Sequence, residues 1–375
     1  MHPQDFFTQL QNQGISFFAG VPDSLLKDIC AYITDHAPLH QHVICANEGG
    51  AVALGIGYHL ATKKIPLIYL QNSGLGNMIN PLLSLADEEV YSIPLLLMIG
   101  WRGEPGFKDE PQHVKQGRVM LKMLDAMEIP YSILDTDLEK SAAILTHAIC
   151  DARQHHRPHA LVVRKNTFAE YKLSKDLKVS LELSREEAIK QVVNALNERD
   201  VVVATTGMTS RELFEHRKGQ NNKQMSDFLT VGGMGHALKV ALGIALQNTK
   251  REVFCIDGDG AAIMHLGALA IIGTLACGNF KHVLINNGAH DSVGGQPTAG
   301  FDIDFQKIAM AAGYKNAMSV ATLEELTGAM DTLKKNQGPQ FLEIKVRKGA
   351  RKDLGRPTLT PLENKQLFMN FLQNS

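Results

Sequence analysis

Residues 253–260 read VFCIDGDG, an apolar run that ends in Gly258-Asp259-Gly260. A second apolar run at 283–285 ends in Asn286-Asn287-Gly288. Two parallel strands that end in a carboxylate and an amide can bring both oxygens to one sheet edge, which is where open α/β sheets bind ligands. Such oxygens, with a backbone carbonyl, suit Mg²⁺, which shares its shell with phosphate oxygens and water. The two motifs therefore predict a Mg²⁺–diphosphate site.

The glycines of the first motif have a geometric role in this interpretation. Gly258 and Gly260 let the backbone turn sharply and approach a phosphate closely. A helix predicted to begin near Ala262 would point its N-terminal amides at that phosphate. For Gly-Asp-Gly alone, the alternative is an ordinary tight turn with a solvated aspartate. The Asn286-Asn287 pair after a second buried strand favours the metal site.

Short β-type runs alternate with helix-period segments along the chain. The predicted strands are 16–19, 42–46, 65–71, 93–100, 131–134, 159–164, 201–205, 228–231, 252–256, 282–286, 317–320 and 340–346. The helical patterns between them include 48–61, 76–88, 236–247 and 262–276. This alternation predicts an α/β protein with doubly wound, mostly parallel sheets and helices on both faces.

The domain boundary is placed where the rhythm breaks. Length alone, 375 residues, suggests about two or three domains. Residues 171–183 are polar and Lys-rich, and a capping-box pattern, Ser184-Arg185-Glu186-Glu187, then opens a new helix. We therefore predict domains at 1–170 and 184–375, joined by the linker 171–183. Each half holds about six predicted strands, so the halves are candidates for two copies of one architecture.

Composition excludes several classes of protein. The formal net charge is -1, so no overall field attracts nucleic acid or an acidic membrane. The five cysteines are far apart and form no C-x-x-C pair, which is typical of core residues in a reducing compartment. The N-terminus has no signal-peptide pattern, and the longest apolar stretch is too short to span a membrane. We expect a cytoplasmic protein.

Three further motifs lie at strand ends. Glu48 follows the predicted strand 42–46 at the head of a helix, where its ordinary role would be to complement the helix dipole. The Gly232-Gly233-Met234-Gly235 loop is otherwise a glycine-rich turn with a core methionine. The segment 205–210, TTGMTS, offers hydroxyls and amides to a phosphate, or is a plain helix N-cap. Together with the Asp and Asn motifs, they fit one pattern.

This pattern resembles the thiamine diphosphate-dependent 2-oxo acid decarboxylases, and the resemblance covers almost the whole chain. It implies a pyrimidine-binding domain in the first half and a diphosphate-binding domain in the second, both with the thiamine diphosphate-binding fold. It also implies that Mg²⁺ is held by the Asp259 carboxylate, the Asn287 side-chain oxygen and the Ala289 carbonyl. Glu48 would hydrogen-bond to N1′ of the aminopyrimidine, and such a carboxyl should be buried with a raised pKa.

The same resemblance assigns other cofactor contacts. The Gly232 carbonyl would accept a hydrogen bond from the 4′-amino group, and Met234 would wedge the cofactor into its bent shape. The segment near the diphosphate would consist of Thr206, Gly207, Thr209 and Ser210, with Gly258 and Gly260 beside them. In this family the cofactor lies between domains of different subunits, so a homo-oligomer is expected.

The chain departs from the larger members of the family, because no middle domain separates its halves and the paired histidines of some members are absent. Four segments are similar to the two-domain branch that contains phosphonopyruvate and sulfopyruvate decarboxylases; they are 20–24, 100–106, 109–113 and 353–358. An anionic group on C3 of the substrate would require Arg or Lys. The candidate substrate residues are Asp23, Arg102, Lys108 and Lys115, and the candidate catalytic residues besides Glu48 are Ser24 and His113, most of them in the predicted loop 102–116.

Several alternatives remain open at this point. The resemblance favours phosphonopyruvate as the substrate, and sulfopyruvate or another small 2-oxo acid is the alternative. A nucleotide- or NAD-binding α/β protein is a second class, although Gly74-Leu75-Gly76 and Gly233-Met234-Gly235 do not complete G-x-G-x-x-G. A non-catalytic subunit of the same fold is a third, and the presence of Glu48, Asp259 and Asn287 together argues against it. The basic run 347–352 contacts substrate, a neighbouring subunit or water.

Overall fold

The computed structural model describes residues 1–174, 179–218, 220 and 223–373. The chain forms two compact units, Met1–Leu177 with Ser292–Gln296, and Lys178–Asp291 with Pro297–Ser375. Each unit contains one six-stranded sheet. None of the helices in the described part of the chain combines the length and apolar composition that a membrane-spanning segment needs.

In its described residues, the first unit contains six strands and six α-helices. The strands are β1 (Phe18–Gly20), β2 (His42–Ile44), β3 (Leu67–Gln71), β4 (Leu96–Gly100), β5 (Tyr131–Ile133) and β6 (His159–Val163). The helices are α1 (Pro3–Asn12), α2 (Lys27–His36), α3 (Glu48–Thr62), α4 (Leu75–Pro81), α5 (Pro111–Ala126) and α6 (Leu138–His155). The strand order is β2-β1-β3-β4-β6-β5, and each of these pairings is parallel.

The second unit repeats this plan. Its strands are β7 (Val201–Ala204), β8 (Asp227–Leu229), β9 (Val253–Gly258), β10 (Phe280–Asn286), β11 (Asn316–Val320) and β12 (Gln340–Lys345). Its helices are α7 (Arg185–Asn194), α8 (Met208–Arg217), α9 (Ala237–Gln247), α10 (Asp259–Met264), α11 (Ala268–Leu275), α12 (Phe305–Ala311), α13 (Leu323–Lys335) and α14 (Pro361–Gln373). The order β8-β7-β9-β10-β12-β11 matches that of the first sheet strand for strand. The predicted α/β fold and the shared architecture are confirmed.

Both faces of each sheet are buried, as expected for parallel strands. In the first sheet Leu67 and Tyr69 of β3 face the core formed with α1, α2 and α6. Ile68 and Leu70 of the same strand face the opposite core, formed with α3, α4 and α5. The second sheet is covered in the same way on its two faces. The cores hold the strands rigidly, so that the residues beyond their carboxyl ends are fixed in position.

Two predicted helices differ from the structure. The helix predicted at 76–88 ends at Pro81 as α4, and a π-helical turn, Leu82–Ala86, follows it. Proline has no amide hydrogen, so the α-helical hydrogen-bond pattern is interrupted there. The helix predicted at 262–276 is two helices, α10 and α11, and α10 begins at Asp259 rather than near Ala262. The break follows Met264, where His265 leaves the helical backbone conformation.

The predicted loop 102–116 is also shorter than expected. Helix α5 begins at Pro111, so His113 and Lys115 lie on a helix. Proline is favoured in the first turn because its missing amide hydrogen would be unpaired there in any case.

The ends of the predicted linker belong to the two units. The Tyr171 amide donates to Asp28 of the first unit at 3.0 Å. Leu183 is buried in a core of the second unit. Residues 175–178 of the linker lie outside the described residues. The limits 1–170 and 184–375 remain our proposal for the domains.

Candidate active site

Asp259 lies at the carboxyl edge of the second sheet, directly after β9. Its side chain is only 3% exposed and accepts hydrogen bonds from the Thr298 hydroxyl and from the Asn287 backbone amide. Burial raises the pKa of Asp259 to about 6, although these hydrogen bonds oppose the shift. A buried carboxylate of this kind gains from a nearby cation, which stabilises its ionised form.

Asn287 is the first residue after β10, the strand next to β9. Its Nδ2 donates to Asp291 Oδ2 at 2.7 Å, and its Oδ1 accepts from the Ala289 amide at 3.2 Å. Among the described residues, no group of three or more His, Cys, Asp or Glu side chains is placed to hold a metal. A metal beside Asp259 would therefore need the Asn287 and backbone oxygens, a donor set of hard oxygens that fits Mg²⁺.

Met234 lies close to the Gly258-Asp259-Gly260 segment. A β-carbon at position 260 would lie 3.2 Å from Met234 Cε and 2.9 Å from the His290 ring. Gly260 thus gives both side chains room beside Asp259. In the loop that carries Met234, Gly233 and Gly235 have φ of 66° and 80°, a left-handed conformation that favours glycine.

The segment 205–210 connects β7 to α8. Gly207 has φ of 91° and directly precedes the ten-residue helix, whose first amides have no partner within the helix. Such amides can bind an anion. The Ser210 hydroxyl donates to the Thr205 carbonyl at 2.7 Å, so it fixes the turn. Thr209 is buried, and Thr206 is half-buried.

Glu48 is the first residue of α3, at the carboxyl edge of the first sheet. It is 5% exposed, and Asn77 Nδ2 donates to its Oε2 at 2.7 Å. Burial raises the pKa of Glu48 against the opposing effect of Asn77, as the sequence predicted. A β-carbon at Gly74 would lie 2.2 Å from Glu48 Oε1, so this position has no room for a side chain. The raised pKa favours the protonated carboxyl, which can donate to a ring nitrogen.

Arg102 links a cluster of polar residues at the same edge, beyond the ends of β1 and β4. Its Nε and Nη2 donate to the two Asp109 oxygens at 2.9 and 2.5 Å, and its Nη1 donates to the Ser24 hydroxyl at 2.5 Å. Asp23 is fully buried and accepts from two backbone amides at 3.0 and 3.2 Å. Burial raises the pKa of Asp23 to about 6 despite the positive charge of Arg102.

The remaining candidates of the first unit differ in their surroundings. His113 is buried, and its Nδ1 has no hydrogen-bond partner among the described residues. Burial, and then the charge of Arg102, lower the pKa of His113 to about 4, so its ring is neutral at pH 7. Lys108 and Lys115 are exposed, and within the described ranges neither takes part in the hydrogen bonds of the Arg102 cluster.

The chain matches two domain families. Residues 3–155 match the thiamine pyrophosphate enzyme, N-terminal TPP binding domain, and residues 205–344 match the C-terminal TPP binding domain. Phosphonopyruvate decarboxylase of Streptomyces viridochromogenes is 34% identical over 98% of this chain and 94% of that protein. This chain belongs to the thiamine diphosphate-dependent 2-oxo acid decarboxylases.

Two further relatives of this decarboxylase are similar over most of their length. Phosphonopyruvate decarboxylase of Streptomyces hygroscopicus is 33% identical over 98% of this chain and 93% of that protein. Sulfopyruvate decarboxylase of Methanosarcina acetivorans is 27% identical over 93% of this chain and 92% of that protein. The family membership makes the chain a carboxy-lyase with thiamine diphosphate as its cofactor, and it replaces the alternatives of an NAD-binding protein and a non-catalytic subunit.

Several residues at the carboxyl edges of the two sheets were not predicted as site residues. Asn77 binds Glu48, Thr298 binds Asp259, and His290 lies beside Gly260. His290 alone had a local signal, because it directly follows Asn286-Asn287-Gly288-Ala289. Thr298 lies 39 positions from Asp259, and no periodic pattern connects the two.

The basic run 347–352 is largely exposed, in line with the predicted alternative that it faces water, and two of its arginines also form ion pairs. Arg347 Nη2 lies 3.0 Å from Glu187 Oε2, and Arg351 pairs with Glu186 at 3.2 Å. Arg351 also pairs with Glu215. These two arginines therefore contact acids of their own unit.

Proposed function

We propose that this decarboxylase converts 3-phosphonopyruvate to 2-phosphonoacetaldehyde and CO₂, with thiamine diphosphate and Mg²⁺. The main support is the 33–34% identity, over 98% of the chain, to two phosphonopyruvate decarboxylases. The sulfopyruvate decarboxylase relative is 27% identical over 93% of the chain, and sulfopyruvate is the alternative substrate.

The Arg102 cluster supports a substrate with a second anionic group. A guanidinium has five N–H groups in a planar fork. Three of them donate to Asp109 and Ser24. The others have no partner in the described part of the chain, so they could bind a phosphonate or carboxylate, and the bond to Asp109 holds the fork in one orientation. We assign Arg102, with Asp23, to substrate binding, while Lys108 and Lys115 are weaker candidates because they are exposed.

We assign the cofactor contacts to both sheet edges. When bound, thiamine diphosphate supplies the electron sink for loss of CO₂. Glu48 would share a proton with the pyrimidine N1′. The oxygens of Asp259, Asn287 and Ala289 would hold Mg²⁺. The segment with Thr206 and Gly207 would bind the diphosphate, and the Gly232 carbonyl and Met234 would orient the pyrimidine.

Ser24 and His113 are our candidates for proton handling near the substrate. The Ser24 hydroxyl accepts from Arg102 and directs its own hydrogen at Asp23 Oδ1 over a long 3.5 Å, so that hydrogen is only weakly held. The His113 ring is neutral, and its Nδ1 has no hydrogen-bond partner within the described ranges. Both groups can therefore exchange a proton with a reacting molecule at this edge.

We further infer a homo-oligomer whose subunits share active sites. Helix α3, which begins with Glu48, exposes Leu54 (38%) and Leu60 (68%). Helix α11 exposes Ile271 (54%) and Leu275 (47%). Apolar faces of this kind beside functional residues favour association with another chain. Analytical ultracentrifugation should detect at least a dimer at assay concentration, and a fully active monomer would contradict this inference.

We also propose a cytoplasmic location. All five cysteines are free, and Cys30 and Cys255 are buried in the cores. Unpaired core cysteines are typical of proteins from a reducing compartment.

The deciding experiment is a substrate panel. Purified protein with Mg²⁺ and thiamine diphosphate is mixed in turn with phosphonopyruvate, sulfopyruvate and pyruvate, and CO₂ and aldehyde are followed. We expect the highest kcat/KM with phosphonopyruvate. A higher kcat/KM with sulfopyruvate would replace the proposed substrate, and calorimetry without uptake of thiamine diphosphate would remove the proposed cofactor site.

A further inference from the structure

We propose that three charged side chains, Arg185, Glu212 and Asp291, act as positioning residues for Asn287. They fix its amide so that the oxygen, and not the NH₂ group, is presented to the metal beside Asp259. This inference rests on the proposed Mg²⁺–thiamine diphosphate site and names residues that the cofactor motifs in the sequence do not include.

The amide of Asn287 has two ends of similar shape and opposite chemistry. Its oxygen can bind a cation, whereas its NH₂ group would point hydrogens at the cation. Asp291 Oδ2 lies 2.7 Å from Asn287 Nδ2. A carboxylate accepts hydrogen bonds and cannot donate them, so only the NH₂ end can face Asp291. Oδ1 is thereby turned away from Asp291, and the Ala289 amide at 3.2 Å supports the same orientation.

Asp291 is itself held in place by other donors. Its Oδ2 also accepts from Arg185 Nη1 at 2.9 Å and from the Gly349 amide at 3.0 Å. Arg185 in turn donates through Nε and Nη2 to the two oxygens of Glu212 at 2.8 and 3.1 Å. Glu212 therefore holds Arg185, Arg185 holds Asp291, and Asp291 holds the amide of Asn287.

Burial makes this arrangement rigid. Arg185 is 5% exposed and Glu212 is 1% exposed. A buried charge that loses its partner is costly, so the three side chains have little freedom to separate. Two carboxylates and one guanidinium also leave one negative charge in excess, which favours a cation next to Asn287.

The first measurement uses Mn²⁺ as the probe, with the full chain and saturating thiamine diphosphate. Asp291→Ala should raise the Mn²⁺ Kd by about 10–100-fold, the usual effect of losing a residue that supports a metal ligand. Asp291→Asn keeps an acceptor oxygen and should raise the Kd less. The matched control is Asp227→Asn, which removes a buried carboxylate from the ion pair with Arg217 at 3.2 Å in the same unit. It should leave the Mn²⁺ Kd unchanged, whichever way it moves the Tm.

The second measurement separates orientation from stability. Asn287→Asp gives this position oxygens at both ends, so its orientation no longer matters. In that background Asp291→Ala should leave the Mn²⁺ Kd unchanged or lower it, because it also removes a facing carboxylate. A merely structural role for Asp291 would weaken Mn²⁺ binding equally in both backgrounds, and that result would overturn the inference.

The outcomes also distinguish this inference from the function on which it rests. If the unaltered protein binds no Mn²⁺ with thiamine diphosphate, both are wrong. If it binds Mn²⁺ and Asp291→Ala binds it equally well, only the positioning role is wrong. If Asp291→Ala shows no cooperative thermal unfolding, Asp291→Asn in the two backgrounds decides by the same comparison.

Discussion

Asn72 and Asp259 occupy equivalent positions in two sheets of identical strand order, each directly after the third strand of its unit. Both side chains are buried. Asn72 Nδ2 donates to the Arg102 carbonyl at 2.8 Å, and Asn72 Oδ1 accepts from the Arg102 amide at 3.2 Å. Asp259 accepts hydrogen bonds from the neighbouring segments and donates none.

The difference shows how one architecture serves two purposes. The amide of Asn72 joins two loops through both a donor and an acceptor, so its polar groups are satisfied within the first unit. The carboxylate of Asp259 can only accept, and its charge requires compensation in a buried site. The first edge therefore presents Glu48 and Arg102, whereas the second is suited to a cation.

Glu48→Gln is the strongest test of the proposal that the first edge supplies the acid and the second edge the cation site. It should lower kcat by about 10²–10⁴-fold, since the variant cannot transfer the proton that a general acid supplies. Calorimetry should show nearly unchanged binding of Mg²⁺ and thiamine diphosphate, because the proposed metal ligands lie in the second unit. As a control, Asp200→Asn removes a buried carboxyl that precedes β7 and should keep normal turnover. Near-normal kcat in Glu48→Gln would refute its role.

Asp259→Asn makes the second edge resemble the first. We expect the Mg²⁺ Kd to rise at least about 100-fold, because the proposed charged ligand is lost. This is more than the usual effect of losing a residue that only supports a metal ligand. The reciprocal change, Asn72→Asp, should bring no metal binding and should destabilise the protein by about 1–3 kcal/mol, since the Arg102 carbonyl loses its donor. Mg²⁺ titrations and thermal unfolding measure both, and unchanged Mg²⁺ affinity in Asp259→Asn would contradict the comparison.

Asp23 tests whether a buried carboxyl at the first edge lowers the stability of the protein when it ionises. Because its pKa is about 6 in the folded protein, above the ordinary value, its stabilising effect is present below about pH 4 and is lost as the pH rises through 6. The Asp23→Asn side chain cannot ionise. The difference in free energy of unfolding between this variant and the wild type should therefore shift in favour of the variant by roughly 2–3 kcal/mol as the pH rises from 4 to 7.

Urea unfolding at several pH values checks the Asp23 prediction. Parallel stability curves for Asp23→Asn and the wild type would show that the carboxyl is not perturbed. The exposed Glu139 supplies a control for carboxyl-to-amide replacement, because Glu139→Gln at a surface position should change the free energy of unfolding by less than about 0.5 kcal/mol.

Arg102→Lys should have the smallest effect of these substitutions, and the effect should be on KM for the 2-oxo acid. Lysine keeps the charge but lacks the fork that binds Asp109 through two nitrogens. We expect KM for the 2-oxo acid to rise about tenfold, the cost of one charged hydrogen bond. Lys108→Ala and Lys115→Ala, at exposed positions, should change KM less than about twofold. Equal effects of all three variants would show that Arg102 is not a specific contact.

The fold was predictable because its signals are local. The central strands are short apolar runs, and the residues that end those runs, such as Asp259 and Asn287, mark the carboxyl edge. The supporting contacts were not predictable for the opposite reason. Arg185 and Asp291 are 106 positions apart, and only tertiary packing brings them together. The single helix predicted at 262–276 failed because apolar periodicity continues across the break after Met264.

Because Gly74 has no side chain, substitutions there can test the position of the Glu48 carboxyl without replacing the carboxyl itself. Alanine, then serine, then valine at this position would push the Glu48 carboxyl progressively aside while leaving its chemical identity intact. If Glu48 is the acid that we propose, turnover should fall step by step along that series, and the size of each step would measure how far the carboxyl can move before the reaction slows.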